Sequence, residues 1–143
     1  MYCIRLQGPW VMIGPDTAEP RRIRLPLEGA EAQLAGDTPP PAPVRLQRNF
    51  QRPTNLDPEE RVLLVLPPGA VAAELSVGEQ AASDPRWLGD CQTWDLTNLL
   101  TRSNVLNLTL VGTEWAAALR EPILLGIMPD ADGSWWIGLP FTR

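Results

Sequence analysis

The sequence predicts an all-β protein in which two sheets pack as a sandwich. Proline and glycine are frequent, with 16 and 11 residues respectively, and they favour short strands and turns over helices. Several segments alternate apolar and polar residues, as a strand with one buried face does. The sequence lacks the strand-helix-strand rhythm that is typical of a parallel sheet. We expect residues 1–143 to form a single domain with a proline-rich loop at about residues 26–43.

Strand signals follow one another along the chain. Residues 23–25 form a short extended segment, and residues 44–50 predict a strand with interleaved arginines. Residues 61–66 are a continuous apolar run, which is typical of a strand that is covered on both faces. Residues 71–77 and 106–110 alternate apolar and polar side chains, so each predicts a strand with one face in the core.

The C-terminal part predicts a β-hairpin. Residues 123–128 and 134–139 are apolar runs, and Gly133 in the segment that joins them suits the positive φ angle of a hairpin turn. Residues 114–120 give the one helical pattern in the sequence. A helix of that length is too short to persist without packing against the rest of the protein.

Charge argues against a nucleic-acid partner. The net charge is −5, and an acidic domain repels a phosphate backbone. All 12 basic residues are arginine, and six of them cluster at residues 21–24 and 45–52. We interpret these clusters as a solvated or ion-paired sheet face, because residues two apart on a strand share a face.

The N-terminal segment and the cysteines indicate a location. The first ten residues lack the basic and apolar regions of a signal peptide, and no apolar run reaches the ~20 residues that span a bilayer. We therefore expect a cytoplasmic protein with no membrane partner, unless the sequence is an excised part of an exported protein. Cys3 and Cys91 are expected as free thiols, with a disulfide between them as the alternative.

Three segments resemble a known protein family. Residues 46–53 contain Arg48 and Phe50 in an arginine-x-phenylalanine strand, and residues 61–66 with 71–78 form a strand pair that leads into a turn. Residues 94–100 have an aromatic-Asp-x-Thr-x-x-Leu turn, followed by an asparagine-led strand at residues 103–110. In this order, with residues 6–10 as an opening strand, they resemble the N-terminal sugar-binding domain of glycoside hydrolase family 2, which contains β-galactosidases and β-glucuronidases.

The resemblance covers residues 6 to about 111 and implies a galactose-binding-like jelly roll. The turn at residues 94–100 also has a local explanation, because Asp95 and Thr97 can accept backbone N–H bonds while Leu99 and Leu100 anchor the turn on the core. One departure is Val77-Gly78-Glu79, where the family commonly has Asn-Gly.

The resemblance does not imply hydrolysis. The barrel domain that carries the two catalytic glutamates of those enzymes does not fit within 143 residues. The sequence contains no histidine, which excludes Ser-His and Cys-His nucleophiles and histidine zinc sites. No pair of carboxylates can be assigned to one pocket, as a retaining glycosidase requires. We therefore expect no catalytic residues.

No cofactor or metal ligand is assigned. Asp130 and Asp132 have the spacing that begins a calcium loop, but the rest of that motif is missing, so we interpret the segment as the hairpin turn. The resemblance leaves room for a structural calcium ion, since related folds often carry one, but the sequence does not identify its ligands.

The candidate binding residues lie in residues 83–90, which we expect to be a loop rich in polar groups. Trp87 can stack its indole face on a sugar ring, and Asp84, Arg86 and Asp90 can bond hydroxyl groups. The resemblance adds Asp37, in the loop that leads toward the active site in the family. The alternative is that Trp87 covers an edge of the core.

Two other tryptophans are expected to be structural. Trp10 and Trp94 fall where the resemblance predicts core packing.

Two functions remain open. The first is a non-catalytic carbohydrate-binding module whose partner is a glycan or glycoside, in the role of accessory to a separate glycosidase. The second is a protein-interaction or scaffold domain that has lost sugar binding. The sequence leaves the oligomeric state open.

Overall fold

The fold of the protein is seen in a computed structural model that describes residues 2–13, 20–26 and 43–129. These residues form strands and two short helical segments. The strands are β1 Tyr2–Arg5, β2 Trp10–Ile13, β3 Arg21–Ile23, β4 Val44–Gln51, β5 Glu60–Val65, β6 Val71–Val77, β7 Gln80–Ala81, β8 Arg86–Leu88, β9 Cys91–Asp95, β10 Ser103–Val111 and β11 Leu124–Pro129.

The strands make two antiparallel sheets. The five-stranded sheet has the order β1-β11-β5-β9-β8, and the six-stranded sheet has the order β3-β2-β4-β10-β6-β7. The helical segments are a 3-10 helix at Thr97–Leu99 and the α-helix Trp115–Ala118, which lies within the predicted helical pattern. Within the described ranges, no helix has the length and apolar character to cross a membrane. The predicted all-β jelly-roll sandwich is confirmed.

Strand β10 shows how the sheets pack. Leu106, Leu108 and Leu110 are at most 1 % exposed and lie in the core between the sheets. The residues between them, Asn107 and Thr109, are half-buried on the opposite face. The predicted alternation is therefore confirmed, and it turns one face of the strand into core and the other into a polar surface.

Strand β5 is buried on both faces, as its apolar run predicts. Val62 and Leu64 belong to the core between the sheets. Leu63 and Val65 lie in a second apolar cluster on the other face, with Cys91 of β9 and two residues of β11. Such a strand needs apolar residues at every position, which explains the continuous run.

Two predicted elements are shifted. The extended segment expected at residues 23–25 corresponds to β3, which ends at Ile23. Residues 6–9, within the expected opening strand, connect β1 to β2 because Pro9 has no N–H to donate to a sheet. Most of the proline-rich loop and the strand predicted at residues 134–139 lie outside the described residues.

Arg48 corrects the interpretation of the arginine clusters. Arg45 is exposed, but Arg48 is half-buried opposite the buried Leu106. Its guanidinium lies 6.0 Å from the ring centre of Trp10, and its Nε donates to the carbonyl oxygen of Gln7 at 2.7 Å. Burial lowers the pKa of Arg48. This arginine therefore packs at the edge of the core and is not part of a solvated face.

The turn after β9 holds the two neighbouring segments together. The Asp95 carboxylate accepts bonds from the Thr97 N–H at 3.0 Å and the Thr97 hydroxyl at 2.6 Å, and it forms an ion pair with Arg61. The Thr97 hydroxyl in turn accepts the N–H of Val62 at 2.9 Å. Both side chains accept a backbone N–H as predicted, but only Asp95 does so within the turn, whereas Thr97 bonds to the neighbouring strand β5.

The apolar side chains of this turn contact the core as expected, and a third leucine adds to them. Leu99 and Leu100 are partly buried and pack against the core, and Leu96 is 0 % exposed. Leu96 follows the strand directly, so its side chain enters the core before the chain turns away.

Gln92 connects the two sheets. Its side chain accepts the N–H of Ala72 at 2.8 Å and donates to the carbonyl oxygen of Ala72 at 3.0 Å. Gln92 belongs to β9 of the five-stranded sheet, and Ala72 belongs to β6 of the six-stranded sheet. On β6, strand β7 pairs only with Ser76 and Val77. Gln92 therefore bonds to a part of β6 that β7 does not reach.

We expect Gln92→Leu to lower the free energy of unfolding by roughly 1–3 kcal/mol for each of the two buried Ala72 groups that lose a partner. Urea denaturation measures this change. The control is Gln80→Leu at an exposed position of β7, which should stay within about 0.5 kcal/mol of the wild type. Equal midpoints for the two variants would contradict the cross-sheet role of Gln92.

We expect Asp95→Ala to cost about 0.5–2 kcal/mol of stability at neutral pH, as the loss of a capping side chain does. Burial alone would raise the pKa of Asp95, but the bonds from Thr97 and Arg61 together hold it below its ordinary value of 3.8. The stability from this carboxylate is therefore present above the unfolded-state pKa and is lost as pH falls through the folded-state pKa.

Acid denaturation at several pH values tests this sign. The variant should lose less stability than the wild type between about pH 5 and pH 2. The exposed Asp57→Asn is the neutral-pH control and should change stability by less than about 0.5 kcal/mol. Parallel curves for wild type and Asp95→Ala would show that the carboxylate is not linked to folding.

Candidate functional site

The segment predicted as a binding loop contains an edge strand. Arg86–Leu88 forms β8, which pairs with β9 at the edge of the five-stranded sheet. Gly89 takes a φ of 60° in the tight turn between the two strands. The expectation of an irregular loop over residues 83–90 is therefore wrong for its central part. The cause is the pairing of three residues with β9, which a short polar segment does not reveal.

Trp87 is the exposed aromatic side chain of this hairpin. It is 53 % exposed, and it is the large hydrophobic residue that the described part of the chain leaves in solvent. The other described tryptophans, Trp10, Trp94 and Trp115, are at most 4 % exposed. The core positions expected for Trp10 and Trp94 are confirmed, and Trp87 differs from both.

The hairpin separates the predicted partners of Trp87. Arg86 precedes Trp87 on the same strand, and consecutive strand residues point to opposite faces of a sheet. Trp87 lies opposite Gln92, so it is on the side of β8 that faces the other sheet. Asp90 is exposed in the turn, and Asp84 is exposed in the connection from β7. Asp37 lies outside the described residues.

Asp84 borders a groove on the six-stranded sheet. The groove has a volume of about 1070 Å³ and continues from the outer face of the sheet around the edge of β6. We call it the sheet-face groove. Among the described residues, its polar lining comes from three neighbouring strands and from Asp84, and it consists of Arg45, Gln47, Glu74, Ser76, Asn107, Thr109 and Asp84.

Strand register arranges six of these side chains in two rows. Asn107 lies between Gln47 and Ser76, and Thr109 lies between Arg45 and Glu74. The Gln47 Nε2 donates to the Asn107 Oδ1 at 3.1 Å, which holds the two amides together. The irregularity in register between Thr109 and Leu110 comes directly after the second row. A β-bulge of this kind re-aims the side chains beside it.

Trp94 reaches the same groove from β9. Its side chain is buried at 4 % exposure, and it lines the groove together with Pro85. The Nε1 of Trp94 is the buried side-chain nitrogen that lacks a hydrogen-bond partner in the described part of the chain. A buried donor without a partner costs about 1–3 kcal/mol.

The sequence patterns did not identify the groove residues. The alternating polar positions of β4, β6 and β10 are visible in the sequence, but each strand separately indicates only a solvated face. The signal that could have found them is the coincidence of amide, hydroxyl and charged residues at the outward positions of all three strands. Only the register shows that they lie side by side.

No metal site emerges from the described ranges, in which no three cysteine or acidic side chains are close enough to hold an ion. Both cysteines are free. Burial, followed by the nearby Asp90 carboxylate, raises the pKa of Cys91 to about 11. Burial also raises the pKa of Cys3, which is half-buried. Asp130 and Asp132 lie outside the described residues.

We expect Cys91 to resist modification in the folded protein. With a pKa of about 11, roughly one Cys91 in a thousand is a thiolate at pH 8. The variant Cys3→Ser, which keeps Cys91, should therefore react with an aromatic disulfide reagent only after denaturant is added. The converse variant, Cys91→Ser, controls for Cys3. Fast reaction of native Cys3→Ser would contradict the buried, protonated state of Cys91.

Structural comparison finds this fold within larger enzymes. The chain superimposes on an FMN-binding β-glucuronidase from Faecalibacterium prausnitzii with a TM-score of 0.66 and 16% identity, over 90% of this chain and 22% of that one. A β-glycosidase from Bacteroides vulgatus matches with a TM-score of 0.58 and 15% identity, over 90% and 20% of the two chains. A β-D-mannosidase from Dictyoglomus thermophilum matches at 0.55 and 13%, over 78% and 16%.

These neighbours define the fold and its extent. No family model matches the sequence, and no curated protein matches it. The chain spans only about a fifth of the length of the enzymes that it resembles in structure. It has the fold of a domain-sized part of glycoside hydrolase family 2 enzymes, as its strand and turn motifs imply.

Proposed function

We propose that this protein is a carbohydrate-binding module with no catalytic activity of its own. The observation that carries the proposal is the exposure of Trp87, at 53 %, on a domain in which the other described tryptophans are buried. Leaving an indole in water forgoes the free energy of burying it, and an aromatic face suits stacking on a sugar ring. The fold is shared with enzymes whose substrates are glycosides, which supports the same ligand class.

The hairpin gives this site its shape. Strand β8 presents Trp87 at the sheet edge, and Gly89 allows the tight turn that contains Asp90. The carboxylates of Asp84 and Asp90 and the guanidinium of Arg86 are all exposed, so each is available to hydroxyl groups of an oligosaccharide that extends beyond the ring stacked on Trp87. Since Arg86 lies on the opposite side of β8, its contact would be with a ligand that extends over the strand edge.

The proposal that the protein is non-catalytic rests on the share of the neighbouring enzymes that the chain matches and on the bonds of its half-buried carboxylate. The chain matches 16% to 22% of the neighbouring enzymes, which is too little to include a catalytic barrel. Asp95, a half-buried carboxylate, is neutralised by Arg61 and bonded to Thr97, so it is engaged in the structure of the turn.

The exposure of Trp87 also favours a second candidate. Tryptophan is enriched at the centres of protein interfaces, where it inserts into a partner's pocket. An interaction or scaffold domain that has lost sugar binding would use the same side chain. The two functions differ in whether free sugars bind.

We expect Trp87→Ala to weaken glycan binding several-fold while leaving the thermal midpoint nearly unchanged. Stacking contributes about 0.5–1.5 kcal/mol beyond area burial, and an exposed side chain contributes little to stability. Isothermal titration with galactosides, glucuronides and mannosides measures the affinity. The matched control is Trp87→Phe, which should retain part of it. No binding of any of these sugars to the wild type would exclude the module and favour the scaffold domain.

A further inference from the structure

We infer that the sheet-face groove is a second binding site, specific for neutral oligosaccharides. This inference rests on the proposed carbohydrate-binding function and extends it beyond the Trp87 hairpin. The groove is distinct from the hairpin site because Trp87, Arg86 and Asp90 are not among the residues that line it. Among the described residues, Asp84 is the one candidate residue that the two sites share.

The dimensions of the polar lining fit sugar rings. Two rows of side chains cross β4, β10 and β6, so each row covers two strand spacings, or roughly 10 Å. The rows are two residues apart along the strands, or roughly 7 Å. This area accommodates one or two pyranose rings lying on the sheet.

The first row offers donors and acceptors in pairs. The bond from the Gln47 Nε2 to the Asn107 Oδ1 leaves the Gln47 Oε1 as an acceptor and the Asn107 Nδ2 as a donor. Within the described ranges, neither of these two atoms has a partner. Ser76 completes the row with a hydroxyl. Neighbouring sugar hydroxyls both donate and accept, so they match a row of this composition.

The second row sets the charge preference. Arg45 and Glu74 are on either side of Thr109, two strand spacings apart, and the described structure shows no ion pair between them. Asp84 adds a second carboxylate, so the groove carries one positive and two negative side chains. A carboxylate on the ligand would meet net repulsion, whereas a neutral sugar can bond to charges of both signs.

The buried end of the groove provides an independent indication of a ligand. The Trp94 side chain lines the groove, is 4 % exposed and has an Nε1 without a partner among the described residues. Buried donors in folded proteins almost always have partners, so this one is suited to a hydroxyl group that enters the groove.

Nuclear magnetic resonance with ¹⁵N-labelled protein tests the inference. The neutral probes are cellobiose, β-1,4-mannobiose and lactose, and the acidic probe is cellobiouronic acid, in which one hydroxymethyl group of cellobiose is a carboxylate. At least one neutral probe should shift the Trp94 indole N–H resonance and the amides of residues 45–47, 74–76 and 107–109. Cellobiouronic acid should bind several-fold more weakly than cellobiose, and Glu74→Gln should reduce that difference.

Two variants separate the groove from the hairpin. Asn107→Ala should weaken the binding of the neutral probe about tenfold, because it removes the amide pair. In Trp87→Ala, the resonances of the groove residues should still shift when the neutral probe is added. If Asn107→Ala is less stable, the exposed Glu74→Gln still tests the charge preference.

The outcomes are distinct. Shifts confined to residues 83–90 and abolished by Trp87→Ala would overturn the groove site and leave the proposed function standing. A groove that binds cellobiouronic acid as tightly as cellobiose would overturn the preference for neutral sugars. No response to any probe would overturn both this inference and the proposed function.

Discussion

The period of two along β10 is the constraint on which the rest of the structure depends. Leu106, Leu108 and Leu110 must all face the other sheet to close the core, and they are at most 1 % exposed. Once they do, Asn107 and Thr109 must point outward. Since β4 and β6 flank β10 with their own leucines turned inward, their polar residues align with these two. The core and the polar rows of the groove are therefore two consequences of one packing requirement.

A register slip would show how closely the two faces are coupled. Moving β10 by one residue against β4 would put Asn107 and Thr109 into the core and the leucines into water. Such a slip would lose the burial of three leucine side chains, each worth about 1.5–3 kcal/mol, and would also break up the polar rows. The arrangement of the groove thus needs no stabilisation of its own, because the core maintains it.

The edge of β6 is where the two candidate sites approach each other. Gln92 bonds to Ala72 across the sheets, and Trp94, two residues later on the same face of β9, lines the groove. Trp87 lies opposite Gln92 on the next strand. Candidate residues of both proposed sites are therefore carried by the β8–β9 hairpin, and the cross-sheet bonds of Gln92 fix that hairpin relative to β6.

Sequence patterns predicted the elements whose signals are local. Strands β4, β5, β6 and β10 follow from alternation or a continuous apolar run, and the Asp95 turn follows from two residues whose bonds close within the segment. Strand β9 gave no such signal. Its polar residues Gln92 and Thr93 are buried because their partners, Ala72 and Arg86, come from other strands. Bonds of that range are invisible in a single sequence.

The candidate site residues also differ in whether the local sequence could identify them. Trp87 could be singled out because its neighbours are polar, a property of the local sequence. The groove could not be, since Arg45, Glu74 and Asn107 come from three strands and meet only through the register. Even Trp94, which was correctly expected in the core, gave no sign that its N–H would lack a partner.

The proposed preference for neutral sugars rests on charge and not on the fold. Two of the three neighbours described above are named for a glucuronide or a mannoside, and one fold therefore serves enzymes acting on acidic and on neutral sugars. At 13% to 16% identity, the fold carries no information about which of these a given chain prefers. That preference has to come from side chains. In this protein, one arginine and two carboxylates line the groove, and at the proposed site Coulomb repulsion from their net negative charge would disfavour a uronate. The same strands with Glu74 and Asp84 replaced by neutral residues would leave Arg45 as the dominant charge and reverse the preference.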